Sequence, residues 1–202
     1  MKRSADYYSR LAKQKDFPAR SVFKLEEMQE RFALLKAGQK VLDIGSAPGS
    51  WSKYCLQRLG PRGQLFGVDL EAVSIPQPSE GRYSFLQGDI FSEAVLTAVS
   101  EMGPFNVILS DAAPRTSGSG VVDAQRSLEI AERVLEIAER TLEPGGHLVV
   151  KVFQGGEEGL LLKRMRALFR RARAFKPKAS RNESRETYFL GQLFGVKVEK
   201  KA

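Results

Sequence analysis

From Lys40 onward the chain alternates short apolar runs with stretches of helical spacing, and few folds accommodate that rhythm. KVLDIG (Lys40 to Gly45), QLFGVDL (Gln64 to Leu70), YSFLQGD (Tyr83 to Asp89), NVILSD (Asn106 to Asp111), HLVVKVF (His147 to Phe153) and ETYFLGQLF (Glu186 to Phe194) read as strands bounded by turn residues. Between them, Ser50 to Gly60, Ser92 to Met102, Asp123 to Leu142 and Glu158 to Arg173 read as helices. Such alternation predicts βαβ units, hence an α/β fold with a doubly wound, mostly parallel sheet covered on both faces. The last two strands stand apart from the rhythm and are expected as an antiparallel edge hairpin.

A chain of 202 residues suits one compact domain. Residues 1–35 read as a basic helical extension docked on the core through Phe23, Met28 and Phe32, and residues 36–202 as the main body. One cysteine excludes an intrachain disulfide, and with His147 as the sole histidine no metal site is expected. No run approaches the 18 or so apolar residues of a membrane span, so a cytoplasmic monomer that does not engage membranes is expected.

Charge is unevenly distributed. Residues 1–40 hold ten Lys and Arg against five Asp and Glu, residues 41–160 nine against sixteen, and residues 161–202 thirteen against three. Two basic ends therefore flank an acidic centre, and the densest stretch runs from Lys163 to Arg181. Its bland reading is a solvated helix face followed by a polar loop. If the fold brings both ends to one face, they form a surface for a phosphate backbone.

VLDIGSAPGS places a buried strand directly before a turn with Gly45, Pro48 and Gly49, then a helix. Glycines there admit a nucleotide-like ligand close to the backbone. The spacing fits neither a dinucleotide fingerprint nor a phosphate loop, which removes a nicotinamide-dependent oxidoreductase from the leading readings. Asp69, Asp89 and Asp111 end successive strands, where buried unpaired acids would be costly, so they line a crevice more plausibly than a core. Asp69 suits ribose hydroxyls and Asp89 an adenine amino group. With no basic residue until Lys53, a ribose-bearing cation fits better than a pyrophosphate, and S-adenosylmethionine meets those demands.

The ordered motifs VLDIGSAPGSWS, GVDL, QGDI, SDAAPRTSG, VVKVFQGG and SRNESRETYFLG, from about Ser4 to Gly191, resemble the FtsJ-like family of bacterial ribosomal RNA 2'-O-ribose methyltransferases. The resemblance implies a seven-stranded sheet with the last strand antiparallel, and a cofactor site formed by Gly45, Pro48, Gly49, Trp51, Asp69, Asp89 and Asp111. It also implies a Lys-Asp-Lys-Glu tetrad on Lys24, Asp111, Lys151 and Glu186. Lys151 stands in the apolar run LVVKVF, where an unpaired ammonium group would cost several kcal/mol, and Asp111 is its expected ionic partner. Lys151 would take the 2'-hydroxyl proton, Lys24 would favour its neutral form by like-charge repulsion, and Asp111 and Glu186 would orient the two amines. In an alternative division of labour Lys151 orients and proximity supplies the rate. Two departures stand out: Ser50 where many members have glycine, and Arg115, either a solvent-facing charge or a phosphate ligand.

The expected activity is thus S-adenosylmethionine-dependent methylation of a ribose 2'-hydroxyl, most specifically of a uridine in large-subunit (23S) ribosomal RNA. A tRNA or mRNA-cap substrate, a small-molecule methyltransferase, and a non-catalytic RNA-binding ribosome-assembly protein are the alternatives.

Overall fold

The computed structural model describes residues 3–73, 75, 82–181 and 183–196, with side chains from Tyr7 onward. The prolines expected to interrupt the IPQP loop, the first residues of the 1–35 extension and the end of the 36–202 body lie outside the described residues.

Two helices, α1 (Arg3–Gln14) and α2 (Val22–Phe32), precede the sheet. There follow β1 (Lys40–Ile44), α3 (Ser50–Leu59), β2 (Gln64–Asp69), β3 (Tyr83–Gln87), α4 (Glu93–Met102), β4 (Phe105–Ser110), α5 (Gly120–Thr141), β5 (Leu142–Phe153), α6 (Glu158–Leu168), β6 (Phe169–Phe175) and β7 (Glu186–Phe194). The sheet has seven strands in the order β3-β2-β1-β4-β5-β7-β6. β1 to β5 pair in parallel, and β7 is antiparallel to both β5 and β6. This is the doubly wound sheet with an antiparallel last strand that was expected.

Alternation along the strands divides the core. Leu42, Ile44, Ile108, Leu148 and Val150 pack on one face against Val134, Leu135 and Ala138 of α5. Val41, Val107, Leu109 and Val149 pack on the other against Leu25 and Met28 of α2 and Tyr54 and Cys55 of α3. Burial on both faces explains why these strands read as continuous apolar runs. Of the packing residues expected before the sheet, Phe23 and Met28 are buried and Phe32 half-buried.

The last third departs from expectation. The helix read as Glu158 to Arg173 stops at Leu168, and FRRARAF forms β6 on the sheet edge. Its strand pattern was masked by four small or apolar residues spaced among arginines whose stems pack as hydrocarbon. β7 lies between β5 and β6, so β5 and β7 are interior neighbours and not an edge hairpin. Exposed Arg170, Arg171 and Arg173 instead guard the edge, where charge discourages pairing with another chain.

Candidate active site

Strand order reverses between β2-β1 and β4-β5, which opens a crevice at the carboxyl ends of β1 and β4. The turn after β1 is built for close approach. Gly45 has φ 74°, and a Cβ on it would stand 2.6 Å from both the Cα and the amide nitrogen of Ala112. Gly49 has φ 103°, with Ile75 just 3.0 Å from its would-be Cβ. Gly45 N donates to Val68 O at 2.8 Å and Ala47 N to Asp69 Oδ2 at 2.8 Å, which ties the turn to the end of β2. Gly45→Ala should therefore cost about 1–3 kcal/mol and deform the turn, because backbone atoms cannot yield. Gly60→Ala, at φ 64° with open space around it, isolates the cost of conformation alone. Urea titrations giving equal losses for the two variants would show that the Ala112 contact is unimportant.

A cavity of about 280 Å³ lies in the crevice. Gly45, Ala47 and Val68 line one side, Leu70, Ile90, Phe91 and Ile130 supply apolar walls, and Asp69, Asp89 and Asp111 all reach it. Asp69 Oδ1 accepts from Glu71 N at 2.8 Å, so this carboxylate shapes two backbone segments while facing the cavity. Asp89 Oδ1 accepts from Phe91 N at 2.9 Å. An apolar slot with acids at both ends fits a nucleoside carrying a positive charge and suits no anionic tail.

Three expected cofactor residues are placed differently. Gly49 lines a separate cavity on the far side of the turn, with Lys13, Phe17 and Lys53. Pro48, after a cis peptide bond, does not line the crevice cavity, and neither does Trp51. Trp51 is 2% exposed, donates its indole N–H to Ser21 O at 2.9 Å, and stacks on Tyr188 with ring centroids 5.8 Å apart. As a first-turn residue of α3, its side chain points back toward α2 and β7 and joins those elements. Ser50 contributes to the same joint, since its hydroxyl accepts from Ala19 N at 2.6 Å.

The four polar residues expected to act together are brought together. Ser110, the end of β4, pairs with Val150, which places Asp111 beside Lys151. Lys151 Nζ lies 3.0 Å from Asp111 Oδ1 and also donates to the Asp111 backbone carbonyl. Across the antiparallel ladder, Lys151 faces Tyr188 and Phe153 faces Glu186. Glu186 Oε1 lies 2.7 Å from Lys24 Nζ of α2. Tyr188 joins the two pairs: its hydroxyl donates to Asp111 Oδ1 at 2.6 Å, and Lys24 Nζ sits 5.8 Å above its ring. Burial pushes the Asp111 carboxyl up, but Lys151, Lys24 and the Tyr188 hydroxyl together outweigh it and hold the group below its ordinary value. Burial raises the Tyr188 phenol well above its usual range, with the Asp111 and Glu186 charges adding to it, so it stays a donor.

Tyr188 was missed in the sequence, although it lies two residues after Glu186 on one strand and so shares its face. Asp43 was also missed. It is fully buried in β1, accepts from Ser52 Oγ at 2.6 Å, and burial raises its carboxyl to about 7. Its Oδ1 has no hydrogen-bond partner among the described residues. Inside VLDIG an acid is indistinguishable from a strand-end ligand until burial is known.

The two basic ends meet on one face. Arg31 of α2 lies 5.1 Å from the Phe175 ring, Arg173 of β6 lies 5.4 Å from the Phe32 ring, and Lys178 N donates to Glu27 at 2.7 Å. Arg115 is exposed on the loop that Asp123 anchors through Ser117.

A doubly wound sheet with this strand order, an acid-lined nucleoside slot and a lysine-carboxylate cluster beside it define a methyltransferase of the Rossmann-like class. A family model described as FtsJ-like methyltransferase matches residues 17–194, and the chain belongs to that family. It is 45% identical over 189 residues, 94% of each chain, to "Ribosomal RNA large subunit methyltransferase E" of Treponema denticola. It is 42% identical over 196 residues to the protein of the same description from Oleidesulfovibrio alaskensis, covering 96% of this chain and 94% of that one. Among solved structures, a ribosomal RNA methyltransferase from Plasmodium falciparum superposes with a TM-score of 0.78 at 27% identity, over 88% of this chain and 98% of that one.

Proposed function

We infer that this chain methylates the ribose 2'-hydroxyl of a uridine in large-subunit (23S) ribosomal RNA, using S-adenosylmethionine and acting as a monomer on the large subunit or its precursor. The observation that carries the chemistry is the Lys151–Asp111 pair at the mouth of the acid-lined cavity, with Lys24–Glu186 beside it. The choice of ribosomal RNA rests on what the relatives are described as modifying.

Residues fit the cofactor in kind. Asp69 would accept from ribose hydroxyls, Asp89 from the adenine amino group, and Leu70, Ile90 and Phe91 would enclose the base. Bound S-adenosylmethionine supplies an electrophilic methyl group. A ribose hydroxyl is a weak nucleophile at neutral pH, so transfer profits from a base at its oxygen. Lys151 Nζ, in its uncharged form, takes that proton. Asp111 fixes Lys151 from β4, Tyr188 fixes Asp111 from β7, and Glu186 holds the Lys24 amine on the same side. Asp111 feels the charge of both lysines, which ties the two ion pairs together.

Asp69→Ala should weaken S-adenosylmethionine binding by about 1.5–3 kcal/mol, roughly 10- to 100-fold, through lost charge-assisted hydrogen bonds. Asp69→Asn, which keeps one of the two acceptors that the Ala47 and Glu71 N–H groups use, perturbs the turn less than alanine does. Calorimetry with unchanged affinity for both variants would remove Asp69 from the site. For the activity itself, the protein is incubated with labelled S-adenosylmethionine and undermethylated large subunits, naked ribosomal RNA, tRNA or capped RNA, and the product is mapped. Label on a uridine 2'-oxygen of large-subunit RNA is expected. Label on tRNA or cap alone would reassign the substrate, and no transfer to any RNA would leave an RNA-binding protein.

A further inference from the structure

Lys24 owes its place to where α2 begins, and among the described residues no side chain caps that beginning: Ser21, which precedes the helix, makes no such bond. Leu25 and Met28 bury α2 against the sheet, but apolar packing is non-directional and does not fix a helix along its axis. Directed bonds do that here. The first turn hangs from the Ala19 and Ser21 carbonyls, which accept from Val22 N at 3.5 Å and from Lys24 N at 3.0 Å. The start of α3 grips the same two residues: Ser50 Oγ accepts from Ala19 N at 2.6 Å, and Trp51 donates its indole N–H to Ser21 O at 2.9 Å. The Ser21 carbonyl thus joins the Lys24 backbone to Trp51. A glycine at position 50 could not make the Ala19 bond.

With its ring, the same indole reaches the other half of the lysine-carboxylate cluster. It packs on Tyr188, with centroids 5.8 Å apart and planes at 33°, and Tyr188 carries the hydroxyl bonded to Asp111. Trp51 is 2% exposed and does not line the crevice cavity, so it lies outside the slot read as the cofactor site. α2 delivers Lys24, β7 delivers Glu186 and Tyr188, and Trp51 touches both elements. It therefore sets a spacing on which the Lys24–Glu186 pair depends. A misplacement of about 1 Å at a reacting centre can cost roughly 10²-fold in rate.

We propose that Trp51 is a positioning residue for methyl transfer: its indole N–H, with the Ser50 hydroxyl beside it, sets the start of α2 so that the Lys24 amine meets Glu186 next to Asp111 and Lys151. This rests on the reading of the chain as an RNA ribose methyltransferase. It goes beyond that reading by giving a part in the rate to two side chains that hold neither the cofactor nor the acceptor.

The test uses the full chain, S-adenosylmethionine and undermethylated large ribosomal subunits. Trp51→Phe keeps a ring against Tyr188 and loses the N–H. It is expected to lower the single-turnover rate about 10-fold, while affinities for cofactor and subunit stay within about 3-fold of the wild type. Ser50→Ala, which withdraws the acceptor of the Ala19 amide, should lower the rate about 3-fold. A spectroscopic readout separates positioning from general loosening: the amine resonance of Lys24 in isotope-labelled protein, identified by its loss in Lys24→Arg. In Trp51→Phe it should shift toward its position in Glu186→Gln, where the ion pair is gone. Tyr54→Phe, buried one turn further along α3, is the control for disturbed packing of that helix and should match the wild type in rate and resonance. The proposal is overturned if Trp51→Phe, folded by circular dichroism, keeps at least half of the wild-type rate, or if its Lys24 resonance stays at the wild-type position. It is equally overturned if cofactor affinity falls as far as the rate, which would return Trp51 to the cofactor site. Should Trp51→Phe fail to fold, Ser50→Ala decides by the same readouts. Absence of methyl transfer by the wild-type chain would refute the enzymatic reading instead, while the Lys24 resonance would still show whether Trp51 sets that amine.

Discussion

Lys151→Ala should lower the single-turnover rate of methyl transfer by about 10²- to 10⁴-fold, or 3 to 5.5 kcal/mol of transition-state stabilisation, while S-adenosylmethionine affinity stays within about a factor of two. Lys151 is 7% exposed, and its amine is fixed by two bonds to Asp111. Lys151→Arg distinguishes a base from a fixed charge, because arginine keeps the positive charge and does not release its proton. If Lys151 is the base, arginine is as inactive as alanine. Retention of a third of the rate by Lys151→Ala would remove Lys151 as the base. Rescue by arginine would assign it an electrostatic role. Single-turnover conditions are needed because steady-state rates can report product release.

Asp43→Asn should stabilise the protein most at pH 8 and by progressively less as the pH falls toward 4. The ordinary value of 3.8 is raised to about 7 by burial, with the Asp111 and Asp69 charges adding to it and the Ser52 hydrogen bond opposing it. Between those values the folded chain holds a proton that the unfolded chain releases, so this group's contribution to stability falls as pH rises through the window. At 1.36 kcal/mol per pH unit the span amounts to roughly 4 kcal/mol, complete near pH 8. Asparagine keeps the shape and still accepts from Ser52. Asp111 carries the opposite dependence, its stabilisation fading in acid, and is common to both proteins. Urea titrations from pH 5 to 8 should therefore give curves that diverge with rising pH. Parallel curves would mean that Asp43 is ionised throughout or finds a partner in solution.

Much of the site was legible because the informative residues lie at strand ends. Asp69, Asp89 and Asp111 follow three apolar runs, and in a parallel sheet the carboxyl ends share one edge, so a one-dimensional pattern located the crevice. Lys151 was legible for the opposite reason, a charge in the middle of a buried strand that required a partner. Trp51 was placed near the cofactor only by the family resemblance, and its burial against α2 and β7 depends on the direction of the first helical turn. β6 misled, because arginine serves helix and edge strand equally.

Sequence alone determined the α/β class, the crevice and the chemical kind of its acids, because periodicity and burial cost act locally along the chain. Tertiary structure alone decided which side chains touch. Lys24 and Glu186 are far apart in the chain and meet only because α2 packs over β7. Tyr188 becomes the bridge between the two ion pairs because β7 enters antiparallel beside β5 and sets it opposite Lys151. Whether Asp43 lines the cavity or lies beneath it was decided by which face of β1 α3 covers. These outcomes depend on packing between elements remote in sequence, where one residue of register moves a side chain to the other face of the sheet.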